Sequence, residues 1–230
     1  MASQLIKNGS GNLWKDGSGH LLKSRPMNEM LLPYGLIGEF DADHVNNVSG
    51  YAQKLYNQVS GGVDMIQTNA SLQPAIVGNF VNSHNALYFS GVSNAQGFLG
   101  SLPNSHHLFI VGCNPTGYNA HGLAYSTGST HATDVGFGIA IGGSWINALG
   151  GGMYINGVFY SSTSGGSSLS WSVGVNADYM INIAGAFFGS NASAFRGYCA
   201  CLAYYNRPLS RLEIIYNTHA LGSRYGISIA

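Results

Sequence analysis

The sequence predicts an all-β protein: a sandwich or barrel of antiparallel strands, one short C-terminal helix, and an extended N-terminal arm. Three observations carry this. Short segments of β-forming residues recur along the chain, separated by Gly, Ser and Asn clusters, with no helices interleaved. Helical spacing appears only after Pro208. The first residues are a repeat of very short segments and turns.

The arm comes first. Gln4-Leu5-Ile6-Lys7, Asn12-Leu13-Trp14-Lys15 and His20-Leu21-Leu22-Lys23 recur with a period of eight. Asn8-Gly9-Ser10-Gly11 and Asp16-Gly17-Ser18-Gly19 lie between them. Asn-Gly and Asp-Gly are tight-turn signals because glycine supplies positive φ. Each segment offers about two apolar side chains, too few for such strands to stand alone. They order only against a neighbouring subunit or another protein. This sets an arm at 1–28 and a body at 29–230. Leu5, Ile6, Leu13, Trp14, Leu21 and Leu22 are the candidate docking anchors, pairing main chain to main chain in trans.

The body follows as candidate strands at Leu36–Asp41, Ala86–Ser90, His107–Cys113, Val135–Ile141, Gly152–Phe159, Leu169–Val175, Tyr179–Phe188 and Gly197–Asn206. Asn156-Gly157 marks a two-residue hairpin. Ser210 and Glu213 form an S-x-x-E capping box, and Leu212, Ile215, Tyr216 and His219 follow at helical spacing. Gly222 is the predicted stop, and the helix is expected to pack on the sheet edge.

Composition narrows the function. Only 8% of residues are charged, against ~25% in typical soluble domains. There are 33 Gly, 14 Tyr, 10 Phe and 3 Trp, the opposite of a disordered composition. Lys7, Lys15, Lys23 and Arg25 crowd the arm, and no Lys or Arg occurs between Lys54 and Arg196. Nucleic-acid binding needs cations against phosphates, so it is excluded. The net charge is zero, which leaves copies free to pack together. No signal peptide and no membrane span are expected. Cys113, Cys199 and Cys201 have no zinc-type spacing; they read as core thiols, with Cys199 and Cys201 on one strand face.

Several motifs together resemble a known family. They are the tail Arg196-Gly197-Tyr198 … Tyr204-Tyr205-Asn206-Arg207-Pro208-Leu209-Ser210-Arg211-Leu212-Glu213 … Tyr225-Gly226, the opening Leu36–Asp43, Ala86-Leu87-Tyr88-Phe89-Ser90-Gly91, and Tyr154-Ile155-Asn156-Gly157. Over roughly residues 34–227 they resemble laminin G-like, concanavalin A-like lectin domains. The resemblance implies an antiparallel jelly-roll sandwich. That family includes lectins, adhesion modules and glycosidases, and it occurs in bacteriophage virion proteins beside Gly/Ser-rich arms.

Three chemistries are weighed. Glu39, Asp41 and Asp43 resemble the E-x-D-x-E signature of jelly-roll glucanases, but Asp43 is a methylene short and the motif sits in the opening strand. No enzymatic activity and no cofactor are therefore expected. Asp41, Asp43, Asp64, Asp134 and Asp178 are scattered, so no metal site is expected. For sugar binding the candidates are Tyr118, Tyr125, Trp145 and Trp171, in loops rich in Asn and Ser. The expectation is a virion structural protein, a decoration, fibre or tail component of a bacteriophage. Its partners would be its own copies and other virion proteins, with no nucleic acid and no membrane. The alternative is a carbohydrate-binding adhesin module for host glycans.

Overall fold

The structure, a computed structural model, describes residues 27–90, 98–105, 107–113, 124–125, 136–139, 144–147, 153–161, 164–167, 172–176, 181–187, 189–190, 193–194 and 196–230. The arm repeat lies outside the described residues.

The first run holds β1 (Leu36–Asp41), β2 (Val45–Val48), β3 (Tyr51–Leu55), β4 (Met65–Ile66), β5 (Ala75–Val81) and β6 (His84–Ser90). Next come β7 (Phe98–Ser105), β8 (His107–Cys113), β9 (Ala124–Tyr125), β10 (Gly136–Ile139), β11 (Ser144–Asn147), β12 (Met153–Ile155) and β13 (Val158–Tyr160). The last are β14 (Ser164–Ser167), β15 (Ser172–Asn176), β16 (Ile181–Phe187), β17 (Gly189–Ser190), β18 (Ser193–Ala194), β19 (Arg196–Tyr205) and the helix α1 (Arg211–Tyr225).

All pairings among the described strands are antiparallel. β19 is the spine of one layer. Along one side runs β8; along the other lie β6, against residues 196–199, and β1, against 201–205. β8 continues to β15, β12 and β13, and β6 to β5. The second layer runs β2, β3, β4, β7, β16, β9, β10, β11 and β14. The fold is thus an all-β sandwich with a single α-helix among the described residues, and that helix is too short to cross a membrane.

The side chains of β8 explain why the spine is buried on both faces. Leu108 and Ile110 point between the sheets, joining Phe40, Leu55, Met65, Leu87, Phe98 and Leu202. Phe109 and Val111 point the other way, under α1, with Val173, Val175, Tyr205, Ile214 and Leu221. Alternation on a two-sided strand gives a near-continuous apolar run, as in His107–Cys113. The helix therefore covers a sheet face and not, as the sequence suggested, a sheet edge.

β19 departs from strict alternation. Its register against β8 shifts between Cys199 and Cys201. The bulge turns Cys199 into the inter-sheet core and Cys201 into the core beneath α1. The one-face expectation for this pair is corrected accordingly. All three thiols are free and buried. Burial pushes Cys113 up to about 12 and Cys199 well above its ordinary value, so they stay protonated.

α1 begins where the capping box predicts. Ser210 accepts from the Glu213 amide, and the Glu213 carboxylate accepts from the Ser210 amide at 2.8 Å. The stop is Gly226 in place of Gly222: Gly226 has φ 65° and donates its N–H to the Gly222 carbonyl. Only a residue at ease with positive φ ends a helix this way. Gly222 stays inside the helix because the tail closes over it, with Ile229 against the position of a side chain.

The chain preceding β1 runs along α1 from its last turn to its middle, and on to the loop that precedes the helix. Asn28 Nδ2 bonds Ser223 Oγ at 2.7 Å, the Leu32 N–H bonds Asn217 Oδ1 at 2.9 Å, and Arg207 Nε bonds the Tyr34 carbonyl at 3.1 Å. Leu31 is buried in the core beneath the helix.

Candidate functional site

Four elements meet at one end of the β19 layer and enclose a groove of about 640 Å³. The β5–β6 hairpin contributes Phe80 and Asn82, the β12–β13 turn Asn156, the end of α1 Tyr225, and the tail Ile227 and Ser228.

Local conformation explains why asparagines stand there. Asn82 and Ser83 form the β5–β6 turn with φ 45° and 66°, and Asn156 and Gly157 the β12–β13 turn with φ 49° and 87°. Two-residue hairpins need left-handed residues, and Asn tolerates that region better than other side chains. The turns are tied to the rest of the fold. Asn82 Nδ2 donates to the Arg224 carbonyl at 2.9 Å. Asn156 Oδ1 accepts from the Val173 amide at 2.8 Å, and its carbonyl accepts from the Ala230 amide at 2.9 Å.

Aromatic rings continue the groove along the sheet. Phe80 stacks on Tyr198, with ring centroids 4.3 Å apart and planes 22° from parallel, and Tyr88 tilts against Tyr198 at 4.9 Å. Phe80 keeps 39% of its surface exposed. His84 packs on Tyr225 at 4.9 Å and meets Asp43 Oδ2 at 2.5 Å through Nδ1. Every residue lining the groove is uncharged. Amides, a hydroxyl and ring faces there suit a neutral, hydroxyl-bearing ligand, by hydrogen bonds and stacking.

The opening-strand carboxylates are occupied with the frame. Glu39 meets Arg224 Nη1 at 2.8 Å. Asp41 accepts from the amides of Asp43 and His44, each at 3.1 Å, and from His44 Nδ1 at 2.6 Å. Asp43 accepts from the Asn85 amide at 2.8 Å as well as from His84. Asp64 pairs with Lys54 at 2.6 Å. Among the described residues no three His, Cys, Asp or Glu side chains converge as metal ligands would. Asp134 and Asp178 lie outside the described residues.

The anchors Leu5, Ile6, Leu13, Trp14, Leu21 and Leu22 lie outside the described residues, as do Tyr118 and Trp171. Tyr125 lies on β9, opposite Gly136, and Trp145 on β11, opposite Ile139 and Gly165. Both belong to the second sheet, away from the strands that form the groove. Sequence reasoning missed Phe80, Asn82 and Ser228, and read Asn156 and Tyr225 only as a turn and a closing motif. The one local signal was the Asn82-Ser83 turn.

No family model matches the sequence, and no curated relative does. A solved structure similar to the chain is a Trypanosoma rangeli sialidase in complex with sialic acid, at 14% identity and a TM-score of 0.46. The match covers 97% of this chain and 36% of that one. The similar structure is that of an enzyme, which runs against the expectation of no enzymatic activity. At such a TM-score the likeness carries no argument about what this chain binds or does.

Proposed function

We propose that the chain is a structural protein of a virus particle of the bacteriophage kind, a decoration, fibre or tail component displayed at the surface. Its body would be a laminin G-like, concanavalin A-like jelly roll, and residues 1–28 the arm that attaches it to its own copies or to other virion proteins. The observation that carries this reading is the root of the arm. Asn28 and the Glu29 carbonyl are bonded to Ser223 and Arg224, and Leu31 is buried beneath α1. A load on the arm would therefore pass directly into the helix and the core. The eight-residue repeat, with its apolar pairs and terminal lysines, supplies what such an arm needs. Removing residues 1–26 is expected to leave a folded body that no longer joins the assembly. Normal incorporation of that truncation into particles would refute the reading.

A second reading, carbohydrate binding, is favoured by the groove. Its uncharged amides beside the exposed Phe80 ring suit a neutral sugar. Binding on a glycan array that disappears with Phe80→Ala, while the unfolding midpoint holds, would support it. Binding unaffected by that substitution would place recognition elsewhere.

A further inference from the structure

Resting on the reading of residues 1–28 as an attachment arm, we infer that its receptor is the free edge of β2 on a second copy of this chain. Three observations converge on that edge.

The first is hydrogen bonding. β1, the neighbouring candidate, has its outer side already filled: the Gln58 amide donates to the Glu39 carbonyl at 2.8 Å, and Asn57 brackets the strand through the Glu39 amide and the Ile37 carbonyl, each at 3.2 Å. β2 pairs with β3 alone among the described strands. Exposed edges are normally blunted by charge or proline. Val45-Asn46-Asn47-Val48 has neither, and Val48 and Tyr51 beside it are 45% and 47% exposed. The register shift between Asn46 and Asn47 limits the edge to a short partner. Each arm segment, such as Asn12-Leu13-Trp14-Lys15, is four residues long, as β2 is.

The second is charge. Residues 1–26 carry Lys7, Lys15, Lys23 and Arg25 against Asp16 alone. Around β2 the sign reverses: residues 36–66 carry Glu39, Asp41, Asp43 and Asp64 against Lys54 alone. Glu39 is matched by Arg224 and Asp64 by Lys54, and Asp41 and Asp43 meet the imidazoles of His44 and His84, so the corner is acidic by two wherever those histidines are neutral. At the start of α1, Arg207 and Arg211 against Glu213 leave one positive charge, the wrong sign for this arm.

The third is the point of departure. The arm leaves beside the last turn of α1, whereas β2 lies beyond β3, the strand that pairs with β4 on one side and reaches β5 through Tyr51. The arm root and the β2 edge are different surfaces of the chain, so the contact between copies is heterologous, the kind that builds rings or filaments. Twenty-six residues extended span roughly 85 Å, ample to reach a neighbour.

The test uses full-length chains followed by sedimentation and amide hydrogen exchange. At assembling concentration the amides of 45–48 are expected to exchange at least about tenfold more slowly than in dilute protein. Val48→Lys blocks the edge and Leu13→Glu with Trp14→Glu blocks the arm. Each chain alone should stay monomeric, and their mixture should pair, because one still offers an arm and the other an edge. Asn47→Lys replaces Val48→Lys if the latter unfolds. Assembly of the edge variant as wild type, a mixture that stays monomeric, or protection independent of concentration would each overturn the inference. If the arm variant itself assembles normally, the attachment reading fails; if it does not and the edge variant does, only the β2 assignment falls.

Discussion

Arg224 Nη1 lies 2.8 Å from Glu39 Oε1, 185 positions away in the sequence, and the two side chains are only 1% and 10% exposed. The same guanidinium donates through Nε and Nη2 to the Glu29 carbonyl, at 3.2 and 2.7 Å. One buried cation thus ties the helix, the opening strand and the root of the arm.

Breaking that tie from either side is expected to be costly. Glu39→Gln strands a buried cation and should lower unfolding free energy by about 3 kcal/mol in urea titration, since removing one partner of a buried pair costs ~3–5 kcal/mol. Arg224→Met should also accelerate amide exchange over 27–34, because it removes both donors to Glu29. The double variant should be more stable than the two single losses sum to; strict additivity would mean that the pair is not coupled.

Acid sensitivity should trace to Glu213. Its Arg207 partner, bonded side chain to side chain, and the Ser210 amide hold the carboxyl down at about 2, against an ordinary 4.5. The folded state thus favours the ionised form. The stabilisation is full above about 4.5 and is lost as pH falls through about 2, because the unfolded chain takes up the proton first. Glu213→Gln should flatten the stability–pH curve in that window. Ser210→Ala should cost about 1 kcal/mol by removing the helix cap.

Gly222→Ala sets two effects against each other. Helix propensity alone favours alanine by about 1 kcal/mol. The added methyl, however, would meet the Ile227 carbonyl at 2.8 Å and the Ile229 side chain. Overpacking costs ~1–3 kcal/mol, so the variant should be less stable than wild type in chemical denaturation. A rise in stability would show that the tail gives way freely.

The thiols offer a check on the core. With Cys113 pushed up to about 12 and all three cysteines buried, the folded protein should react only slowly with a thiol reagent at mildly alkaline pH. All three should react once it is unfolded. Rapid modification of the folded chain would contradict the two-core packing of β8 and β19.

What the sequence determined by itself was local. The Ser210–Glu213 cap, the Asn156-Gly157 turn and the bounds of β1 and β8 depend on residues within one turn or one strand of each other, so their patterns are complete in the linear chain. The eight-residue repeat and the charge gap are likewise visible without coordinates. Only the tertiary structure decided the rest. The Cys199–Cys201 bulge arises from register against β8, the continuation of α1 past Gly222 from the tail that folds over it, and the groove from Phe80, Asn156 and Ser228 arriving on separate elements. The Arg224–Glu39 pair follows the same rule: desolvation forces a buried charge to find its partner, but which partner depends on which strands the sandwich sets beside the helix.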